Sequence, residues 1–255
     1  MKIESFPRKL FLFRNNLCMF AQTQNELHNM KHMSILAVSL LALVACTPEK
    51  KQEADYSQYV NPMIGTDFTG NTYPGAQVPF GMVQLSPDNG LPGWDRISGY
   101  FYPDTTIAGF SHTHLSGTGA GDLYDISFMP VTRPYKEAPA PLGIYSTFSH
   151  NDEAASAGYY RVLLKDYNIN VELTATERCG IQRYTFPEAE ASVFLNLKKA
   201  MNWDFTLDSK IEVVDSTTIR GYRLSQGWSP LQHVYFETRF SKPFVACHTD
   251  TTSIV

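Results

Sequence analysis

Between residues 63 and 104 the chain carries Gly65, Gly70, Pro74, Gly75, Pro79, Gly81, Pro87, Gly90, Pro92, Gly93 and Gly99. Glycine and proline at this density interrupt any helix and favour short extended segments joined by shaped turns. After Gly158 the texture changes to short β-branched and aromatic runs at residues 159–165, 169–175, 181–186, 192–197, 216–222 and 233–239. Several of these alternate apolar and polar residues, the period of a strand with one face in a core. No stretch after Cys46 shows a capped 3.6-residue period, and no strand–helix alternation points to a parallel sheet. The expected fold is all-β, an antiparallel β-sandwich. Residues 244–250 read as a further strand entering a turn.

An apolar run at residues 34–45 follows Lys31 and His32 and precedes Cys46 and a polar stretch ending at Gln58. It is too short for a membrane-crossing helix, which needs roughly 20 residues. A basic flank, an apolar centre and a small-residue end describe a secretory signal, although a buried helix could carry the same run. Leu43-Val44-Ala45-Cys46 resembles a bacterial lipobox, which makes Cys46 a lipidation site and the cell envelope the expected location. Met30 is a better start for such a signal than Met1. The expected organisation is an upstream extension plus signal over residues 1–45, a tether over 46–58, and a folded domain over 59–255. Cys179 and Cys247 then remain, and two free buried thiols are expected rather than a disulfide.

The formal charge of −4, with no arginine-rich helix or basic stripe, argues against binding a phosphate backbone. Removing residues 1–45 takes away more basic than acidic side chains, so the remainder is more acidic still. The membrane is approached through the lipid anchor only.

Two segments could carry chemistry. In the first, Gly109-Phe-Ser-His-Thr-His-Leu-Ser-Gly-Thr-Gly-Ala-Gly-Asp122, His112 and His114 are two apart and would share one side of a strand. Glycines at 117, 119 and 121 let backbone approach a ligand. The segment lacks the Gly-Lys-Ser/Thr end of a nucleotide loop and a third ligand at zinc spacing, and an ordinary Gly-rich turn with satisfied histidines is the plain alternative. In the second, Trp94, Asp95 and Arg96 put an indole beside a carboxylate and a guanidinium, a set suited to a sugar's apolar face and hydroxyls. A buried core position for Trp94 is equally open. Asp67, Asp88, Asp122 and Asp125 also sit in the Gly-rich half, but sequence alone does not give the carboxyl separation that glycoside hydrolysis requires.

Residues 60–66 (Val-Asn-Pro-Met-Ile-Gly-Thr), 70–76 (Gly-Asn-Thr-Tyr-Pro-Gly-Ala), 78–88 (Val-Pro-Phe-Gly-Met-Val-Gln-Leu-Ser-Pro-Asp) and 109–119, with Ser98-Gly-Tyr100, Asp125-Ile and Met129-Pro130, resemble the N-terminal domain of glycoside hydrolase family 92. The resemblance implies a supersandwich of galactose-mutarotase-like type leading into an (α/α)6 barrel, which this chain lacks. It implies a calcium-dependent, inverting exo-α-mannosidase that trims N-glycans, with its acid, base and most Ca2+ ligands in the barrel. No catalytic residue or metal ligand is therefore assigned within this chain. The resemblance places Trp94 against the leaving-group mannose, and the loops holding Gly65, Thr66, Gly70 and Asn71 and residues 111–119 at the terminal mannose. Asp95, His112 and His114 carry over more weakly, as substrate-binding or structural. The partners implied are a mannose-containing glycan and the protein's own barrel. The other reading is a stand-alone, lipid-anchored carbohydrate-binding module without catalysis.

Overall fold

The computed structural model describes residues 54–117, 119–139, 142–188, 190–198 and 203–248. The expected signal, Cys46 and most of the tether lie outside the described residues. A 3-10 turn at Ser57–Tyr59 leads into β1 (Ala76–Gln77), β2 (Gln84–Asp88), β3 (Thr106–Ile107), β4 (Gly109–Ser111) and β5 (Ser127–Thr132). Short pairings follow through β6 (Glu137–Ala138), β7 (Gly143–Ile144) and β8 (Ser146–Thr147). A meander comes next, β9 (Glu153–Ser156), β10 (Tyr159–Leu164), β11 (Ile169–Ala175) and β12 (Gly180–Thr185). Then β13 (Ala191–Asn196) returns to β5, and β14 (Phe205–Val213), β15 (Thr218–Gln226) and β16 (Gln232–Arg239) form the last sheet.

Three main sheets result, with orders β1-β2-β4-β5-β13, β12-β11-β10-β9 and β14-β15-β16, all antiparallel. β5 is buried at every position. Its alternating side chains explain this: Met129 and Val131 join a core with Leu85, Phe110, Tyr160, Val162 and Val171, while Phe128 packs with Ile126 and Leu197. Ile211, Val234 and Phe236 of the last sheet cover that second cluster. The five-stranded sheet therefore lies between the other two. Each fully buried Leu, Val or Phe contributes about 1.5–3 kcal/mol of transfer free energy. The described residues from Asp55 on form one compact unit, and every core residue named comes from it.

The antiparallel sandwich agrees with the sequence reading, and five of the runs singled out there are strands nearly as drawn. The run at residues 216–222 begins its strand only at Thr218, after a turn in which Asp215 accepts from the Thr217 backbone. β14 was not foreseen, because Asp208, Lys210 and Glu212 occupy every second position and leave only a thin apolar face. Residues 244–248 are not a strand, contrary to expectation. Phe244 instead donates its backbone N–H to Ser216 and sets its ring against Phe240, with Val245 left exposed. Cys179 and Cys247 are free thiols but exposed, which corrects the expected burial. Cys179 closes the β11–β12 turn with Thr176, a polar arrangement that holds the thiol at the surface. Among the described residues no helix is long and apolar enough to cross a membrane.

Candidate functional site

Trp94 opens a single 3-10 turn, Trp94–Arg96, entered through Gly93 at φ +147°. Arg96 anchors the turn inward by a bidentate pair to Asp104 at 2.6 and 2.5 Å, with its guanidinium over the Phe101 ring. With Arg96 held, the indole faces outward and is 57% exposed. A core position for Trp94 is thereby excluded. Asp95 is half-buried beside it, close enough for its charge to act on Arg96. Gly119 lies under the ring, where a Cβ would come within 3.0 Å of Cη2. Trp203 stands next to it, ring centroids 6.3 Å apart and planes inclined by 50°.

The loop at residues 65–71 reaches the same region. Gly65 sits at φ +83°, and a Cβ on Gly70 would come within 2.3 Å of the Gly65 carbonyl oxygen, so the loop closes on itself only with glycine there. Asn71, at φ +49°, accepts a 2.6 Å hydrogen bond from the Gly117 backbone N–H, which joins this loop to the His-containing one. Its Oδ1 is buried with no hydrogen-bond partner. Thr66 is buried and turns its hydroxyl onto the Met63 carbonyl, while its own carbonyl accepts from Tyr102.

The two histidines lie just past the end of β4, and each is taken up by the frame. His114 is buried, its Nδ1 2.7 Å from the Gln84 carbonyl oxygen and its Nε2 2.9 Å from Asp88 Oδ1 and 3.1 Å from Ser111 Oγ. His112 sets Nδ1 2.8 Å from the Ile126 carbonyl and its ring edge-on to Phe128, and burial holds its pKa below the ordinary imidazole value. A Cβ on Gly180 would meet this ring at 2.7 Å.

Beneath the loops lies a buried charge cluster. Arg223 Nη1 bonds Asp125 Oδ1 at 2.6 Å and Asp204 Oδ2 at 2.8 Å, all three side chains fully inaccessible. Its Nε is shared between the Leu197 carbonyl and Thr206 Oγ1. Burial raises the Asp204 pKa, the Arg223 bond opposes that, and the neighbouring Asp125 charge adds to it, for a net rise. Asp125 also accepts from the Thr113 hydroxyl, so the cluster grips the His loop. Leu123, Tyr124 and Ile126, at φ +85°, +64° and +56°, are held in the left-handed region, each at a cost of order 1 kcal/mol. The Tyr124 hydroxyl donates to the Ile97 carbonyl and so ties this strained segment to the Trp94 turn. Asp122 is buried nearby and accepts from the Ser229 backbone and Gln232 Nε2 at 3.2 Å each.

A family model described as the glycosyl hydrolase family 92 N-terminal domain matches residues 59–254. The chain belongs to this family. Among solved structures, a family 92 α-mannosidase of Bacteroides thetaiotaomicron in complex with mannoimidazole is 43% identical, with a TM-score of 0.70 over 74% of this chain and 26% of its own. An inverting family 92 mannosidase of the same organism is 29% identical, with a TM-score of 0.61 over 76% of this chain and 26% of its own. A curated relative, an uncharacterized secreted glycosidase of Arthroderma benhamiae, is 26% identical over 172 residues, 64% of this chain and 21% of the relative. The chain thus spans about a quarter of the length of the solved mannosidases it matches.

In this family 92 domain the structure brings three sequence-selected loops together, at Trp94, at residues 65–71 and at residues 111–119. Of the residues singled out, Trp94 is exposed and Asp95 half-buried, whereas Thr66, Asn71 and His114 are buried. Asp67 is exposed, and Asp88, Asp122 and Asp125 are buried. Trp203, Asp204 and Arg223 were missed. The repeated Trp-Asp pair at 94–95 and 203–204 was the available signal. Among the described residues no group of three or more His, Cys, Asp or Glu side chains converges as a metal site requires. Asp125 and Asp204 are engaged by Arg223 and His114 by Asp88, so these side chains do not fit a calcium site.

Proposed function

We propose that this domain forms the sandwich side of the sugar cleft in an envelope exo-α-mannosidase acting on N-glycan mannosides, tethered by lipid on Cys46. The observation that carries the reading is the exposed Trp94 indole, set over Gly119 at the meeting point of the three family loops. An indole held outward by the half-buried Arg96–Asp104 pair offers an apolar face to the C–H side of a sugar ring, while Asp95 beside it can accept from hydroxyls. The mannoimidazole complex and the inverting mannosidase among its relatives support mannose as the sugar and inversion as the outcome.

Inversion uses one carboxylic acid to protonate the leaving oxygen and one carboxylate to activate water, roughly 6.5–9.5 Å apart. Asp125 and Asp204 are committed to Arg223 in the interior, and neither is assigned such a role. The acid, the base and any Ca2+ ligands are proposed to come from outside the described residues. The domain by itself then binds mannosides without cleaving them.

Mannose release from α-1,2-mannobiose, with and without EDTA, tests this for residues 46–255 and for the same residues continued through any downstream reading frame. Turnover by the longer protein alone, abolished by EDTA, is the expected result. Turnover by residues 46–255 would place the catalytic carboxylates in this domain and overturn the assignment. Binding without turnover by either form would favour a stand-alone carbohydrate-binding module.

A further inference from the structure

Tryptophan is on average among the more buried residue types, yet all three of this chain are open to solvent: Trp94 at 57%, Trp203 at 46% and Trp228 at 79%. Trp94 and Trp203 lie with ring centroids 6.3 Å apart and planes inclined by 50°, so neither stacks flat over the other and both stay exposed. Two indoles that only needed burial would have stacked or turned inward, where a full side chain gains the most. Their placement is enforced from below. Asp204, next in sequence to Trp203, is fixed in the interior by Arg223, and the Trp203 backbone N–H lies 3.4 Å from the Gly121 carbonyl. In the bend just before β14, Asp204 is buried and Trp203 is exposed. Trp94 is fixed in the same way by Arg96 and Asp104.

We propose that Trp203 is a second saccharide-contacting residue: with Trp94 it forms an aromatic corner that seats two consecutive sugar units of an oligomannoside. The inclined planes suit this better than a sandwich around one ring, because consecutive α-linked sugars present their apolar faces at an angle to each other. The corner is preorganised, since each indole adjoins an ion-paired segment, Arg96–Asp104 for Trp94 and Arg223–Asp204 for Trp203, and preorganisation lowers the ordering cost of binding. Trp203 is therefore the residue that makes the domain prefer a longer mannoside to a disaccharide. This rests on the mannoside reading above.

The three indole N–H signals in a two-dimensional NMR spectrum of residues 46–255, assigned with single Trp→Phe variants, provide the readout. Titration with α-1,2-mannobiose is expected to move the Trp94 signal, and α-1,2-mannotriose to move Trp94 and Trp203 together. Trp203→Ala should weaken mannotriose binding about three- to tenfold, the worth of one aromatic contact on an open surface. Mannobiose binding should change less than about twofold. Maltotriose serves as the control for unspecific stacking and should move neither signal. If Trp94 responds but Trp203 does not, or if Trp203→Ala weakens both mannosides equally, the aromatic corner is refuted while the mannoside reading stands. If neither indole responds to any mannoside, or both respond equally to maltotriose, the mannoside reading fails and this inference with it.

Discussion

Replacing Arg223 by Met tests whether the buried ion cluster or the apolar packing secures the last sheet. The guanidinium is fully inaccessible and reaches Asp125 and Asp204 at 2.6 and 2.8 Å. Methionine fills much of the same volume, so the loss is electrostatic rather than a large cavity. It leaves two buried carboxylates without a counter-charge, and removing one partner of a buried pair typically costs about 3–5 kcal/mol. At about 2–4 °C per kcal/mol for a domain of this size, the melting temperature should fall by roughly 6–20 °C. Urea unfolding followed by tryptophan fluorescence and by far-UV circular dichroism gives the free energy and checks two-state behaviour. The triple change Asp125→Asn, Asp204→Asn, Arg223→Met should recover part of the loss, because it removes the unpaired charges as well. A loss below about 1 kcal/mol for Arg223→Met would refute the cluster's role and leave the apolar contacts of Ile211, Val234 and Phe236 as what holds the sheet.

Two further outcomes follow from the same geometry. Gly119→Ala puts a methyl 3.0 Å from Trp94 Cη2, and the exposed ring can give way. Stability should change by less than about 1 kcal/mol while the Trp94 indole signal shifts and mannobiose binding weakens; an unmoved signal would count against the contact. His112 is held below its ordinary pKa by burial, so between that lowered value and about 6.5 the unfolded chain binds a proton that the folded chain does not. Stability from this group is therefore full above about pH 6.5 and declines as pH falls toward the lowered value. His112→Gln should flatten that limb of the stability–pH curve, and parallel curves for the two proteins would sink the assignment.

The sheets were legible from the sequence where one face is polar. β10 and β11 alternate buried and more open positions, and their period of two showed through. β14 escaped because its half-buried positions, Thr206, Ser209 and Ile211, offer only one apolar side chain, so that pairing with β15, more than any apolar pattern, places it. The segment at residues 244–248 misled for the opposite reason: an apolar start suggested a strand where Phe244 only caps a turn. At the site, Gly119 was readable as a close approach in kind, though its partner is Trp94 rather than a ligand. The two histidines looked like a ligand pair because spacing reports a side, not a neighbour. Only the fold reveals that Gln84 and Asp88 take up both nitrogens of His114.

What no local pattern could supply is the link between Arg223 and Asp125, which lie far apart in sequence yet meet at 2.6 Å. That contact explains why an all-β domain places fully buried ions beneath an exposed aromatic surface. Apolar residues in the same places would bury as well and often stabilise more. They would not draw one particular side chain of the segment before β14 inward, whereas the fixed guanidinium selects Asp204. Arg96–Asp104 settles the orientation of Trp94 by the same means. In both places an ion pair beside the tryptophan, fully buried at Asp204 and half-buried at Arg96, decides which way it faces.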